Sequence, residues 1–273
     1  MSEDKLKLGV MVYATEDPAE PINRVKEVGL PSCQVGWPPF GTVELGRKMR
    51  QAADAAGVEI TTLWASVPGR QVWNFTQGPI TIGLVPPETR QWRVAAMEAA
   101  AQVAAEIGVP SITTHLGFLP EYPHDPVYLG TLEAIKHVGE VCASRGLEFW
   151  FETGQETPIT LLRTIELAGT GNLGINLDPA NLLMYGKANP VDALDVFGKY
   201  VRGVHAKDGE YPTGGESLGE EMPLGEGRVN FPVLIPKLKS FGFRGALTIE
   251  REISGPQQVA DIRRAMDLLT PLL

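Results

Sequence analysis

A chain of 273 residues, 43% of them hydrophobic, is long enough for one large domain with a substantial core. Its formal net charge of −9 argues against nucleic acid as a partner, because phosphates need a basic face. No stretch approaches the roughly 18 apolar residues that a transmembrane helix needs, and the charged start MSEDKLKLG lacks the apolar segment of a signal peptide.

Apolar, strand-like runs alternate with helical patterns along the whole chain. The first unit is a strand at 8–13 and a helix at 18–28. Next come a strand at 32–35 with a helix at 43–56, and a strand at 59–64 with a helix at 88–107. Strands at 111–115 and 148–152 lead to helices at 126–144 and 158–168. The last three strands, at 173–178, 201–207 and 246–250, precede helices at 190–198, 232–241 and 256–272. Several helices open with Pro, which suits the first turn, and several strands follow a Gly such as Gly57, Gly108 or Gly146, the usual residue past a helix end. Eight βα units predict an α/β fold, a (β/α)8 TIM barrel occupying 1–273 as one domain. The two long connections, 66–87 and 208–231, fall on the face where barrel enzymes carry their chemistry. Cys33 and Cys142 read as buried thiols rather than a disulfide, which points to a reducing, cytoplasmic setting.

Four strands in the second half end in a carboxylate or an imidazole. These are Glu152 in LEFWFETG, Asp178 in LGINLDPAN, His205 in VRGVHAKDG and Glu250 in ALTIERE. In a parallel barrel the C-terminal ends of the strands converge on one face. Three carboxylates and an imidazole there form a donor set for one divalent ion, Mn2+ first, with Mg2+, Co2+ or Zn2+ as alternatives. Isolated solvated acids are the competing explanation, and four on strand ends favour the ion.

Other residues are read one at a time. His115 ends the fourth strand and is a candidate substrate contact. Lys207 follows His205, either touching substrate or pairing with a ligand carboxylate such as Glu152 or Asp178. Arg228 in GEGRVNF is the candidate for an anionic substrate group. Strand alternation points Arg251 away from Glu250 and out of the pocket. Trp37 and Trp64 are candidate aromatic walls of the pocket, with Trp73 in the following loop. His124 and His137 receive no role.

The stretches TTHLG (113–117), FETG (151–154), NLDPANL (176–182), GVHAKDGE (203–210), PLGEGRVNF (223–231) and LTIERE (247–252) occur in this order. Together they resemble the xylose isomerase-like TIM-barrel superfamily of sugar phosphate isomerases and epimerases. The similarity is nearest to the branch of ketose 3-epimerases, hydroxypyruvate isomerases and inosose-processing enzymes. The resemblance implies Glu152, Asp178, His205 and Glu250 as metal ligands. It also implies Glu152 and Glu250 as the catalytic acid/base pair on opposite faces of the substrate. The implied reaction is proton abstraction next to a carbonyl through a metal-stabilised enediolate, giving isomerisation or epimerisation of a sugar, sugar phosphate or sugar acid. Free-ketose 3-epimerases carry a second Glu after the fifth strand, a His three residues past the Asp and an Arg after the seventh strand. Here Glu156 stands near the first place, Asn181 takes the second and is counted with the substrate contacts, and the third has no Arg.

An inosose-type dehydratase using the same metal site is the alternative. A non-catalytic sugar-binding barrel and a metal-dependent nuclease stand behind it, the nuclease disfavoured by only four His and the negative charge. The expected partner is a small carbohydrate, with no nucleic acid and no membrane, and the sequence allows a homo-oligomer, dimer or tetramer.

Overall fold

The structure, a computed structural model, describes residues 5–273. The first four residues of the expected 1–273 domain, MSED, lie outside the described residues. In chain order the elements begin with β1 (Lys7–Tyr13), α1 (Ala19–Val28), β2 (Ser32–Trp37), α2 (Val43–Ala56) and β3 (Glu59–Ala65). They continue through α3 (Pro87–Glu106), β4 (Ser111–His115), α4 (Pro126–Ala143), β5 (Glu148–Glu152), α5 (Pro158–Ala168) and β6 (Leu173–Leu177). Next are α6 (Pro179–Met184), α7 (Pro190–Phe197), β7 (Val201–Ala206) and a short hairpin of β8 (Asp208–Gly209) with β9 (Glu221–Met222). The chain ends with α8 (Phe231–Ser240), β10 (Ala246–Ile249) and α9 (Pro256–Leu269).

Strands β1 to β7 and β10 close into one parallel barrel in the order β1-β2-β3-β4-β5-β6-β7-β10, and β10 pairs back with β1. The fold is a single-domain (β/α)8 barrel. Its strands are buried on both faces, so that every residue of SCQVGW and LGINL is buried, the polar Ser32, Gln34 and Asn176 included. Helix starts follow local chemistry: Thr42, Asp125, Thr157 and Asn189 each accept a backbone N–H from the first turn. Gly57 and Gly169 end α2 and α5 in the left-handed conformation. Cys33 and Cys142 are free and buried. No helix of the described residues is long and apolar enough to cross a membrane.

Each long loop at the C-terminal face is held by one buried charged side chain. Arg93 of α3 is fully buried and donates to the carbonyls of Pro68 (3.2 Å), Arg70 (3.1 Å) and Gly83 (2.6 Å), which fixes the loop after β3. Asp208 does the converse after β7. Its carboxylate accepts from the backbone N–H groups of Gly209, Gly225, Gly227 and Val229, at 2.9–3.1 Å. Gly227 is needed for this approach, since a Cβ there would fall 2.3 Å from Asp208 Oδ1. The two loops meet where Phe75 N donates to Glu216 O at 3.0 Å.

Asp208→Ala leaves four N–H groups without their charged acceptor. The expected cost is about 3 kcal/mol or more, because hydrogen bonds to ionised groups are the stronger kind. Urea unfolding measures it, and a loss below about 1 kcal/mol would mean that water replaces the carboxylate.

Candidate metal centre and active site

Glu152 is the last residue of β5, His205 lies near the end of β7, and Asp178 and Glu250 directly follow β6 and β10. All four side chains are buried. One ligand atom from each can be chosen so that all lie within 4.8 Å of one another, and this buried cluster can hold a metal ion. His205 Nδ1 is the hub, 3.2 Å from Glu250 Oε2, 3.3 Å from Glu152 Oε1 and 3.9 Å from Asp178 Oδ2.

Other groups fix how each donor points. His205 Nε2 bonds to Gln34 Oε1 at 2.9 Å, which places the ring proton there and turns Nδ1 to the carboxylates. Gln34 Nε2 in turn donates to Asn176 Oδ1 at 2.9 Å. Gly203 makes room for this pair, since a Cβ would sit 2.5 Å from Asn176 Oδ1. Asp178 has two tasks. Its Oδ1 accepts from Asn181 N at 2.8 Å as the N-cap of α6, which leaves Oδ2 for the cluster. Glu152 Oε1 accepts from Asn181 Nδ2 at 3.1 Å and lies 3.5 Å from His115 Nε2, while Trp64 Nε1 donates to Oε2.

The donor set fits a divalent cation on its own terms. His205 Nδ1, Asp178 Oδ2 and Glu250 Oε2 are buried and converge without a well-formed hydrogen bond, their close polar neighbours being one another, Glu152 and Lys207, an arrangement that a shared ion would satisfy better. The electrostatics agree. Burial raises the Asp178 carboxyl to about 8, with the neighbouring carboxylates adding and Lys207 opposing. Burial disfavours charge on Glu250 and Glu152 too, but neighbouring side chains prevail and hold both carboxyls low: His205 and Lys207 for Glu250, His115 and His205 for Glu152. Burial works against the His205 imidazolium, yet the carboxylates of Glu250 and Glu152 keep its pKa well above the ordinary value. The protons held by Asp178 and His205 are the ones that a cation would displace.

The remaining expected residues divide. Trp64, His115, Asn181 and Lys207 line the cleft above the cluster. Lys207 is buried, with Nζ 2.9 Å from Glu252, 3.3 Å from Glu250 and 3.6 Å from Asp178, so it reaches the cleft and pairs with ligand carboxylates at once. Trp37 does not line the cleft. Gln34 and Gly36 face the barrel interior, so alternation turns Trp37 outward, where it is 1% exposed within the hydrophobic core. Arg228 is also outside, largely exposed and paired with Glu210. Arg251 corrects the opposite expectation. It follows the end of β10, where strand alternation no longer governs direction, and forms part of the cleft wall with its guanidinium held by Asp261 (2.8 Å) and Glu221 (3.0 Å). Gln34 and Asn176 were not singled out as candidates; the available signal was a polar residue inside an otherwise apolar barrel strand.

Glu156 is buried, and its carboxylate oxygens have only weakly aligned backbone N–H neighbours. Burial lifts its pKa from 4.5 to about 8, against backbone hydrogen bonds and Lys187. The folded chain therefore holds this proton more tightly than the unfolded chain, and stability falls as pH rises from about 4.5 to about 8. At 1.36 kcal/mol per unit the effect is at most on the order of 5 kcal/mol. Glu156→Gln is expected to raise the Tm at pH 9 and change it little at pH 4. Equal shifts at both pH values would remove titration of Glu156 as the cause.

The profile of the xylose isomerase-like TIM barrel family matches residues 22–272, and the chain belongs to this family. A xylose isomerase domain protein from Planctomyces limnophilus is 35% identical, with 98% of this chain and 97% of that one covered and a TM-score of 0.91. The 3-keto-D-glucoside 4-epimerase YcjR of E. coli shares the fold at 18% identity, with 98% and 100% covered and a TM-score of 0.71. The uncharacterized protein MJ1311 of Methanocaldococcus jannaschii is 25% identical over 174 residues, a match spanning 60% of this chain and 58% of that relative.

Proposed function

We propose that this chain is a divalent-metal-dependent sugar isomerase or epimerase that removes a proton from the carbon next to a substrate carbonyl. Glu152, Asp178, His205 and Glu250 hold the ion, and Glu152 and Glu250 act as acid and base. The observation that carries this reading is the convergence of four buried donors, three of their facing atoms without a well-formed hydrogen bond, under a cleft at the C-terminal mouth of the barrel. When bound, the divalent cation, Mn2+ before Mg2+, Co2+ or Zn2+, supplies positive charge beside the oxygen that becomes negative as the C–H proton leaves.

The chain's own residues do the rest. Glu152 and Glu250 come from β5 and the end of β10, three strands apart around the barrel, so they approach a substrate from different sides. Glu250 turns Oε2 to His205 and Lys207, which leaves Oε1 to take or return a proton. Glu152 keeps Oε1 at the cluster and is aimed by the Trp64 N–H at Oε2. Asn181 and His115 hold Glu152 in place, and Lys207 offers N–H donors to a substrate oxygen. A proton taken on one face and returned on the other inverts the carbon; returned to the neighbouring carbon, it interconverts aldose and ketose.

Incubation of the metal-supplemented protein with keto-sugars in D2O tests this reading. Deuterium next to the carbonyl with an intact carbon–oxygen skeleton is expected, abolished by a chelator. Loss of water from the product would instead support the dehydratase reading. Binding without exchange would leave a sugar-binding barrel.

A further inference from the structure

The cleft above the four donors has a volume of about 830 Å3. Pockets that enclose drug-sized ligands measure about 300–1,000 Å3, and a single monosaccharide ring is only a fraction of drug size. Glu152, Glu250, His115, Asn181 and Lys207 line the inner end of the cleft, so one sugar reacting there leaves the outer part of the cleft unfilled.

Two aromatic side chains line that outer part while remaining open to water, Tyr13 at 57% and Trp73 at 44% exposure. Both stand on fixed supports. Tyr13 lies against Gly36, where a Cβ would fall 2.4 Å from the ring. Trp73 belongs to the loop anchored by Arg93 and stacks at a tilt on His115, with centroids 5.2 Å apart. His115 meets Trp64 edge-on at 5.6 Å, so an aromatic line runs from Glu152 on the floor to the mouth. Exposed aromatic faces suit the C–H face of a pyranose, whose hydroxyls then point to water or to a rim amide such as Gln71.

The charges select against an anion. Each cation lining the cleft already has carboxylate partners: Arg24 with Glu20, Lys207 with Glu252, Glu250 and Asp178, and Arg251 with Glu221 and Asp261. A phosphate or carboxylate on the substrate would compete with these carboxylates at the buried Lys207 and at Arg251, and only the exposed Arg24 has N–H donors to spare.

We infer that the outer cleft, with Trp73 and Tyr13, binds a second uncharged ring O-linked to the reacting sugar. The substrate is then a keto-sugar glycoside or oligosaccharide rather than a free or phosphorylated ketose. This inference rests on the reading of the floor as the reacting centre.

Calorimetric titration of the Mg2+-supplemented protein tests it by a readout of binding rather than of turnover. The ligands are D-fructose, isomaltulose, D-fructose 6-phosphate, methyl β-D-glucoside and cellobiose. The two-ring sugars are expected to bind at least about tenfold more tightly than their one-ring counterparts, with no gain for the phosphate. Trp73→Ala should weaken two-ring binding by about 3- to 10-fold and one-ring binding by less than about twofold, and Trp73→Tyr should restore most of the difference. Equal affinities, no two-ring binding, tighter binding of the phosphate, or equal losses in Trp73→Ala would each overturn the inference. Absence of deuterium exchange would instead sink the catalytic reading and leave this binding preference standing.

Discussion

Glu250→Gln is expected to lower turnover by at least about 100-fold, the lower scale for loss of a positioned base, while metal affinity falls much less. The amide keeps one oxygen of the same shape, and the side chain carries no backbone cap that would be lost with it. Glu152→Gln should be equally inactive but structurally more costly. Glu152 accepts hydrogen bonds on both oxygens, from Asn181 Nδ2 and Trp64 Nε1, and a Gln amide has only one acceptor for these two donors. One donor would face an NH2 group, so a lower Tm is expected for this variant alone. In D2O, each single variant should still exchange one substrate C–H through the surviving carboxylate without converting the sugar. Near-normal turnover in both variants with metal bound would exclude two-base chemistry.

Asp178→Asn is expected to lower metal affinity beyond the about 10- to 100-fold that loss of an outer partner of a metal ligand costs. The substitution is a clean one. Asn can keep its Oδ1 as the cap on Asn181 N, so α6 stays in place, while an NH2 group replaces the Oδ2 donor. His205→Ala should lose as much affinity and stability besides. It removes the group that three carboxylates face and leaves Gln34 Oε1 without the His205 donor. Elemental analysis after dialysis measures both. Full metal occupancy in Asp178→Asn would remove Asp178 from the ligand set.

The barrel and the four donors were legible because they depend on short-range signals. A parallel barrel strand is an apolar run with an abrupt polar end, and Glu152, Asp178, His205 and Glu250 are such ends. What stayed hidden depends on contacts distant in sequence or on the exact end of a strand. Gln34 orients His205 across 171 positions of sequence; its polarity within SCQVGW is visible locally, but its partner is not. Trp37 is three residues past Gln34, so its outward direction follows only once Gln34 is known to face inward. α6 is short, and its DPAN start, an N-cap Asp followed by Pro, reads equally well as a strand end and a turn. Arg251 was placed by strand logic and Arg228 by its loop at the barrel mouth; both lie outside strands, where carboxylates elsewhere, Glu210, Glu221 and Asp261, decide where the guanidinium goes.

The central claim is that these four side chains hold one divalent ion. An anomalous difference map from crystals grown with Mn2+ tests it most directly. The account predicts a single strong peak among Glu152, Asp178, His205 and Glu250, about 2.0–2.3 Å from one atom of each. A protein that turns over sugar while the map shows no peak there, or only one bound by other residues, would contradict it.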